Sequence, residues 1–158
     1  MDKIIVPVDF SEHSEFALET AAIIARRNNA ELLVLHMLEI NESPVTGTDS
    51  EHNEKIIFFL KLAEQKFENF LKKEFLEGLT VTPVVKHYMV FSEIAEVAEN
   101  HSVDMIVMGS HGTSGMSEIF VGSNTEKVVR YSEVPVLVVK EKPGDLNFDT
   151  VTFACDFS

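Results

Sequence analysis

The chain has no tryptophan, two tyrosines and a single cysteine, Cys155. One cysteine excludes an internal disulfide framework and any Cys-x-x-Cys metal site. Basic residues are scarce: 13 Lys and Arg stand against 26 Asp and Glu, a formal charge of -13. A chain this acidic repels nucleic acid and anionic lipid, so neither is an expected partner. No apolar run approaches a membrane span, and no basic segment leading into an apolar stretch opens the chain. With the lone cysteine, these absences suit a reducing cytoplasm. No Ser-His-Asp order, nucleophile elbow or metal-spaced His cluster is present, so no catalytic and no metal-ligating residue is assigned.

What the chain does contain is a core. Apolar residues make up 45% of 158 positions, enough for one domain of ordinary size. The segments 4–8, 32–37, 81–88, 105–108 and 134–139 are short and apolar, as strands buried on both faces must be. Pro7 lies near the end of the first, where ladder bonding stops. Between them lie four helix patterns: one capped by Ser11 or Ser14 and running to about Asn28, one over about 54–75, a short one capped by Ser92 and carrying Ile94, Ala95, Val97 and Ala98, and one over about 123–132. Ile56, Leu60, Ala63, Phe67, Phe70 and Leu71 mark the core face of the second, and Gly78 follows its end. The polar stretch 41–53 reads as a loop. Strands alternating with helices predict βαβ units, a parallel sheet and helices on both faces. Ligands bind such sheets outside the carboxyl ends of the strands, where the strand order reverses. Asp9, His36-Met37 and Gly109 all fall at such ends.

The stretch Gly109-Ser110-His111-Gly112, nine further residues, then Gly122-Ser123-Asn124-Thr125 sits between a strand and a helix. Glycines there let backbone approach an anion, and helix-start N–H groups favour negative charge. Spacing alone leaves two readings open, a phosphate cradle and a tight turn without ligand. His36 reads as a packed or hydrogen-bonded structural histidine. His111 reads either as a phosphate contact or as a solvated loop residue.

The chain also repeats itself. Asp2, Ile4, Val6, Asp9, Phe10 and Ser11 recur in register as Asp149, Val151, Phe153, Asp156, Phe157 and Ser158. The expected organisation is a domain over 1–140, a linker over 141–147, and the first strand of a second, truncated copy over 148–158.

Taken together, Ile4-Ile5-Val6-Pro7-Val8-Asp9-Phe10-Ser11, Leu35-His36-Met37, the stretch 105–112, Gly122-Ser123, Glu126-Lys127-Val128-Val129 and Val134-Pro135-Val136-Leu137-Val138-Val139 resemble the universal stress protein (UspA-like) family. The resemblance spans nearly the whole chain and implies the first repeat of a tandem member. It implies a Rossmann-like α/β fold with a five-stranded parallel sheet in the order 3-2-1-4-5. It also implies an adenine nucleotide, ATP, ADP or AMP, with or without Mg2+. Pro7, Val8 and Asp9 would then lie on the ribose or adenine side, and the main chain at Met37 on the adenine. Met108, Gly109, His111, Gly112, Gly122, Ser123 and Asn124 would surround ribose and phosphates, with the Ser123 hydroxyl on a phosphate oxygen. Two positions depart from the family pattern. Thr113 replaces a frequent Arg or Lys, and Met89-Val90-Phe91 replaces a segment that tends to carry Gly, bulk that would narrow the crevice or cover an apolar ligand face; the departures point to weaker nucleotide binding or to fewer phosphates. The expected function is a non-catalytic nucleotide-binding stress-response module. The alternatives are a nucleotide-free interaction module and, third, a slow ATPase. The resemblance also implies pairing, as a homodimer or with a second repeat, through the strand 134–139 that carries Val136 and Val138.

Overall fold

The computed structural model describes residues 1–38, 49–87, 93–111, 122–144 and 146. The chain runs β1 (Lys3–Val8), α1 (Glu12–Asn28), β2 (Glu31–Leu38), α2 (Asp49–Phe70), a 3-10 turn (Glu74–Leu76), β3 (Val81–His87), α3 (Glu93–Asn100), β4 (Met105–Gly109), α4 (Ser123–Tyr131) and β5 (Val136–Val139). The five strands form one parallel sheet in the order β3-β2-β1-β4-β5, as expected.

The apolar strands divide by parity, since alternate side chains leave opposite faces of a sheet. Ile4, Val6 and Val8 of β1, Leu32 and Val34 of β2 and Val107 of β4 pack with α1, Phe67 of α2 and Leu76. Ile5, Leu33, Leu35, Ile106 and Met108 pack on the other face with Ile94, Val97 and Ala98 of α3 and Val128 of α4. Ala17, Ala21, Ala22 and Ala25 of α1 are fully buried, and side chains this small bring the helix close to the sheet. Pro7 sits opposite Leu35 of β2, beyond the last β1–β4 pair at Ile5 and Ile106, so its missing N–H breaks no ladder there. Pro83 lies on the edge strand β3.

Several boundaries differ from expectation. Ser11 is the α1 cap: its side chain accepts from the Ser14 N–H, 3.2 Å away. The second helix starts at Asp49, inside the stretch expected to be a loop, and stops at Phe70, not Phe75. The chain continues through the 3-10 turn, and Gly78 follows with φ +75°. β5 starts at Val136 because Ser132 bonds both the N–H and the carbonyl of Val134 in a tight turn before Pro135. Residues 39–48, Ser92 and the proposed second-copy strand 148–158 lie outside the described residues. No helix among those described is long and apolar enough to cross a membrane.

Candidate functional site

From β1 the chain steps outward to β2 and β3, whereas β4 and β5 lie on the other side of β1. The order therefore reverses between β1 and β4, the place where sheets of this kind bind ligands outside the carboxyl ends. Asp9 follows β1 at this point, Gly109 ends β4, and β2 brings His36 and Met37 alongside. α4 begins close to the end of β4, since the Gly122 N–H donates to the Ser110 carbonyl at 2.8 Å.

Hydrogen bonds hold the described ends of the glycine stretch. Ser110, 1% exposed, donates its N–H to the Val139 carbonyl at 2.8 Å, and its Oγ lies 2.9 Å from His111 Nδ1. The Thr125 hydroxyl, on the first turn of α4, donates to the Gly109 carbonyl at 2.9 Å. Gly109 has a packing reason to be glycine: a Cβ there would stand 2.8 Å from the backbone carbon and oxygen of His13 in α1. A Cβ at Gly122 would come within 3.3 Å of the Ser110 carbonyl oxygen. The Gly122 N–H is committed to the Ser110 carbonyl, so it is not among the open amides of the α4 start. First-turn N–H groups have no partner within their helix, and Gly122 supplies no capping side chain to satisfy them. Ser123 is exposed and Asn124 half-buried at this helix start. The imidazoles of His13 and His111 stand 5.4 Å apart, between centroids, on the α1 side of the same stretch.

The β1 end is built differently. Asp9 Oδ1 accepts the Ser11 N–H at 3.0 Å and also the Ser11 hydroxyl, which fixes the entry into α1. Between them, Phe10 has φ 65°, a left-handed conformation costly for a bulky residue, about 1–3 kcal/mol. Its ring lies 4.2 Å from His36 and 5.3 Å from Phe70, with Lys66 Nζ 4.6 Å above it. His36 is buried, and its Nδ1 donates to the Val8 carbonyl at 2.9 Å. Burial holds the His36 pKa below the ordinary imidazole value, against a raising effect of that hydrogen bond; Lys66 lowers it further and Asp9 raises it. The Nδ1 proton of this imidazole is committed to the Val8 carbonyl.

Of the residues expected at the site, Pro7 and Val8 are buried in β1, Asp9 is half-buried beyond it, and Met37 is half-buried near the end of β2. Met108 is buried in β4, with Gly109 at its end and His111 just beyond. Gly122, Ser123 and Asn124 form the start of α4. Gly112, Thr113 and Met89-Val90-Phe91 lie outside the described residues. Sequence reasoning missed Phe10 as a strained residue, His13 as the neighbour of Gly109, and Ser110 and Thr125 as the bonds that close the loop. A buried hydroxyl two residues into a helix leaves no periodic signal. Among the described residues, no group of three or more His, Cys, Asp or Glu side chains converges to hold a metal ion.

Residues 1–140 match the model of the universal stress protein family. In sequence the chain is similar to universal stress protein MJ0577 of Methanocaldococcus jannaschii, 35% identical over 155 residues covering 89% of this chain and 95% of the relative. The solved structure of MJ0577 matches with a TM-score of 0.75 at 36% identity, over 90% of this chain and 98% of that one. A universal stress protein from Archaeoglobus fulgidus solved in complex with dAMP shares the fold, with a TM-score of 0.60 at 23% identity over 89% of this chain and 98% of that one. Another, solved in complex with cAMP, shares it with a TM-score of 0.55 at 22% identity over 88% of this chain and 96% of that one.

Proposed function

The chain belongs to the universal stress protein family, and from that premise we propose that it binds an adenine nucleotide in the crevice between β1 and β4, as a non-catalytic stress-response module of the cytoplasm. The observation that carries this reading is the pair of hydrogen bonds, Gly122 N–H to the Ser110 carbonyl and Thr125 hydroxyl to the Gly109 carbonyl, that set the start of α4, which has no side-chain cap, beside the end of β4. That donor set fits a phosphate. It offers first-turn amides of a nine-residue helix and the exposed Ser123 hydroxyl, and needs no basic side chain. Asp9 and the Met37 main chain would meet the nucleoside, and backbone around Gly109, Gly112, Ser123 and Asn124 the ribose and phosphates. Family members solved with dAMP and cAMP support an adenine ligand class. The module is non-catalytic in this reading because the motifs supply no evident general base positioned for an attacking water.

Titration calorimetry with AMP, ADP and ATP tests the proposal: saturable binding is expected, and its absence for all three would sink it. Gly122→Asp gives α4 a capping carboxylate and should abolish binding; because its Cβ would press on the Ser110 carbonyl at 3.3 Å, a retained cooperative melting transition must accompany the loss.

A second reading concerns assembly. β5 is an edge strand, and beside it Val129 and Tyr131 of α4 are 50% and 63% exposed. An open edge invites strand pairing, and we extend the proposal to a homodimer, or a pair with a second repeat, through the strand carrying Val136 and Val138. The recurrence of Asp-Phe-Ser at 156–158 supports that second repeat. A monomeric mass by light scattering at high concentration would count against the homodimer.

A further inference from the structure

One imidazole holds both neighbours of Asp9. His36 Nδ1 donates to the carbonyl of Val8, 2.9 Å away, and the same ring packs on Phe10 with centroids 4.2 Å apart. Phe10 is the residue whose left-handed φ of 65° turns the chain from β1 into α1. Strain of this kind persists only where the surroundings over-determine the conformation. Here they do: Phe10 is enclosed by His36, Phe67 and Phe70, with the Lys66 ammonium above its ring. Beyond the turn, Ser11 donates its N–H to Asp9 Oδ1 and caps α1. The orientation of the Asp9 carboxylate is therefore set from two sides, by the Ser11 bonds and by the grip of His36 on residues 8 and 10.

We propose that His36 is a positioning residue: by holding the Val8 carbonyl and the Phe10 ring it fixes the Asp9 carboxylate at the mouth of the crevice, where a bound adenine nucleotide meets it. The role in binding rests on the nucleotide reading above; the positioning of Asp9 does not. Leu33 of β2 is buried in the core on the opposite face of the sheet, apart from the cluster on which Phe10 packs.

The test uses the full chain and two readouts, the chemical shift of the Ser11 amide proton without ligand and the affinity for AMP. His36→Asn places an amide nitrogen near the position of Nδ1, whereas His36→Gln places one near Nε2 and His36→Phe keeps only a ring. The Asn variant should retain the Ser11 shift and most of the AMP affinity. The Gln and Phe variants should move the Ser11 shift and weaken AMP binding about 10-fold, the scale of one well-made hydrogen bond. In an Asp9→Asn background, His36→Phe should change AMP affinity less than about 2-fold, because coupled residues are not additive. Leu33→Ala should lower stability without moving the Ser11 shift. Should His36→Phe not fold, the Asn and Gln pair still decides. Equal behaviour of Asn and Gln, or a Ser11 shift that moves as much in Leu33→Ala, overturns the proposal. If the wild-type chain binds no AMP yet the Ser11 shift follows this pattern, the nucleotide reading fails and the positioning role stands.

Discussion

At the scale of single residues, Gly109 and Gly78 illustrate two unrelated demands for glycine. A Cβ on Gly109 would stand 2.8 Å from the His13 backbone, whereas at Gly78 nothing lies within 4 Å and only the φ of +75° is at stake. Gly109→Ala must push α1 off β4 and should cost about 1–3 kcal/mol. Gly78→Ala should cost about 1 kcal/mol through backbone strain alone. Urea denaturation gives both values, and only Gly109→Ala should disturb the His13 ring signals; equal costs with unchanged His13 signals would refute the packing role. His36 carries a pH dependence of definite sign. Its folded pKa is lowered, chiefly by burial, with Lys66 of α2 also lowering it and the Val8 carbonyl and Asp9 raising it. The unfolded chain, with imidazole near about 6.5, then binds the proton more readily than the native one. Stability from this group is full above that value and is lost as pH falls from it toward the lower folded value. The stability-versus-pH curve of His36→Phe should lack this fall below about pH 6.5, and a curve parallel to wild type would show that His36 is not its source.

At the scale of elements, the loop between β4 and α4 is held by groups that are not glycines. Thr125 of α4 donates to Gly109, and Ser110 joins β5 through Val139 and α4 through Gly122. Thr125→Val keeps the shape and leaves the Gly109 carbonyl without this donor. It should cost about 1 kcal/mol, roughly 2–4 °C in melting temperature for a domain of this size. A calorimetric melting point unchanged from wild type would show the bond to be dispensable. The strands were legible in the sequence because a strand buried on both faces reads as an unbroken apolar run, and both faces here are covered. The ends of α2 were not. Leu71 and Phe75 continue the apolar spacing and do pack on the core, yet the helix stops at Phe70. Apolar spacing reports burial, not which carbonyl an N–H bonds. At the other end, Asp49, Ser50 and Glu51 are polar and carry no periodic signal, so an early helical turn reads as loop. The site shows the same division. Its glycines stood out by spacing, but the reason for Gly109, contact with a helix nearly a hundred residues earlier, is tertiary. The left-handed Phe10 is invisible because nothing local favours it; His36, Phe67 and Phe70, distant in sequence, hold it there.

At the scale of the whole molecule, the formal charge of -13 and the proposed phosphate site pull in opposite directions. The donors at the start of α4 are backbone dipoles whose effect fades within a turn, whereas the repulsion between an acidic protein and an anionic ligand is long-ranged. Salt separates the two, because the Debye length shrinks from about 30 Å at 0.01 M to about 8 Å at 0.15 M. Added salt should screen the distant carboxylates while leaving contact hydrogen bonds largely intact. Affinity for ATP should therefore rise with ionic strength over this range, on the order of 2- to 10-fold, and affinity for the less charged AMP should rise less. A site built on Lys or Arg would do the reverse, since screening would then weaken its main attraction. Calorimetric titration of both nucleotides at the two ionic strengths distinguishes these cases. An ATP affinity that falls with salt would assign the phosphates to basic side chains rather than to the amides that follow Gly122.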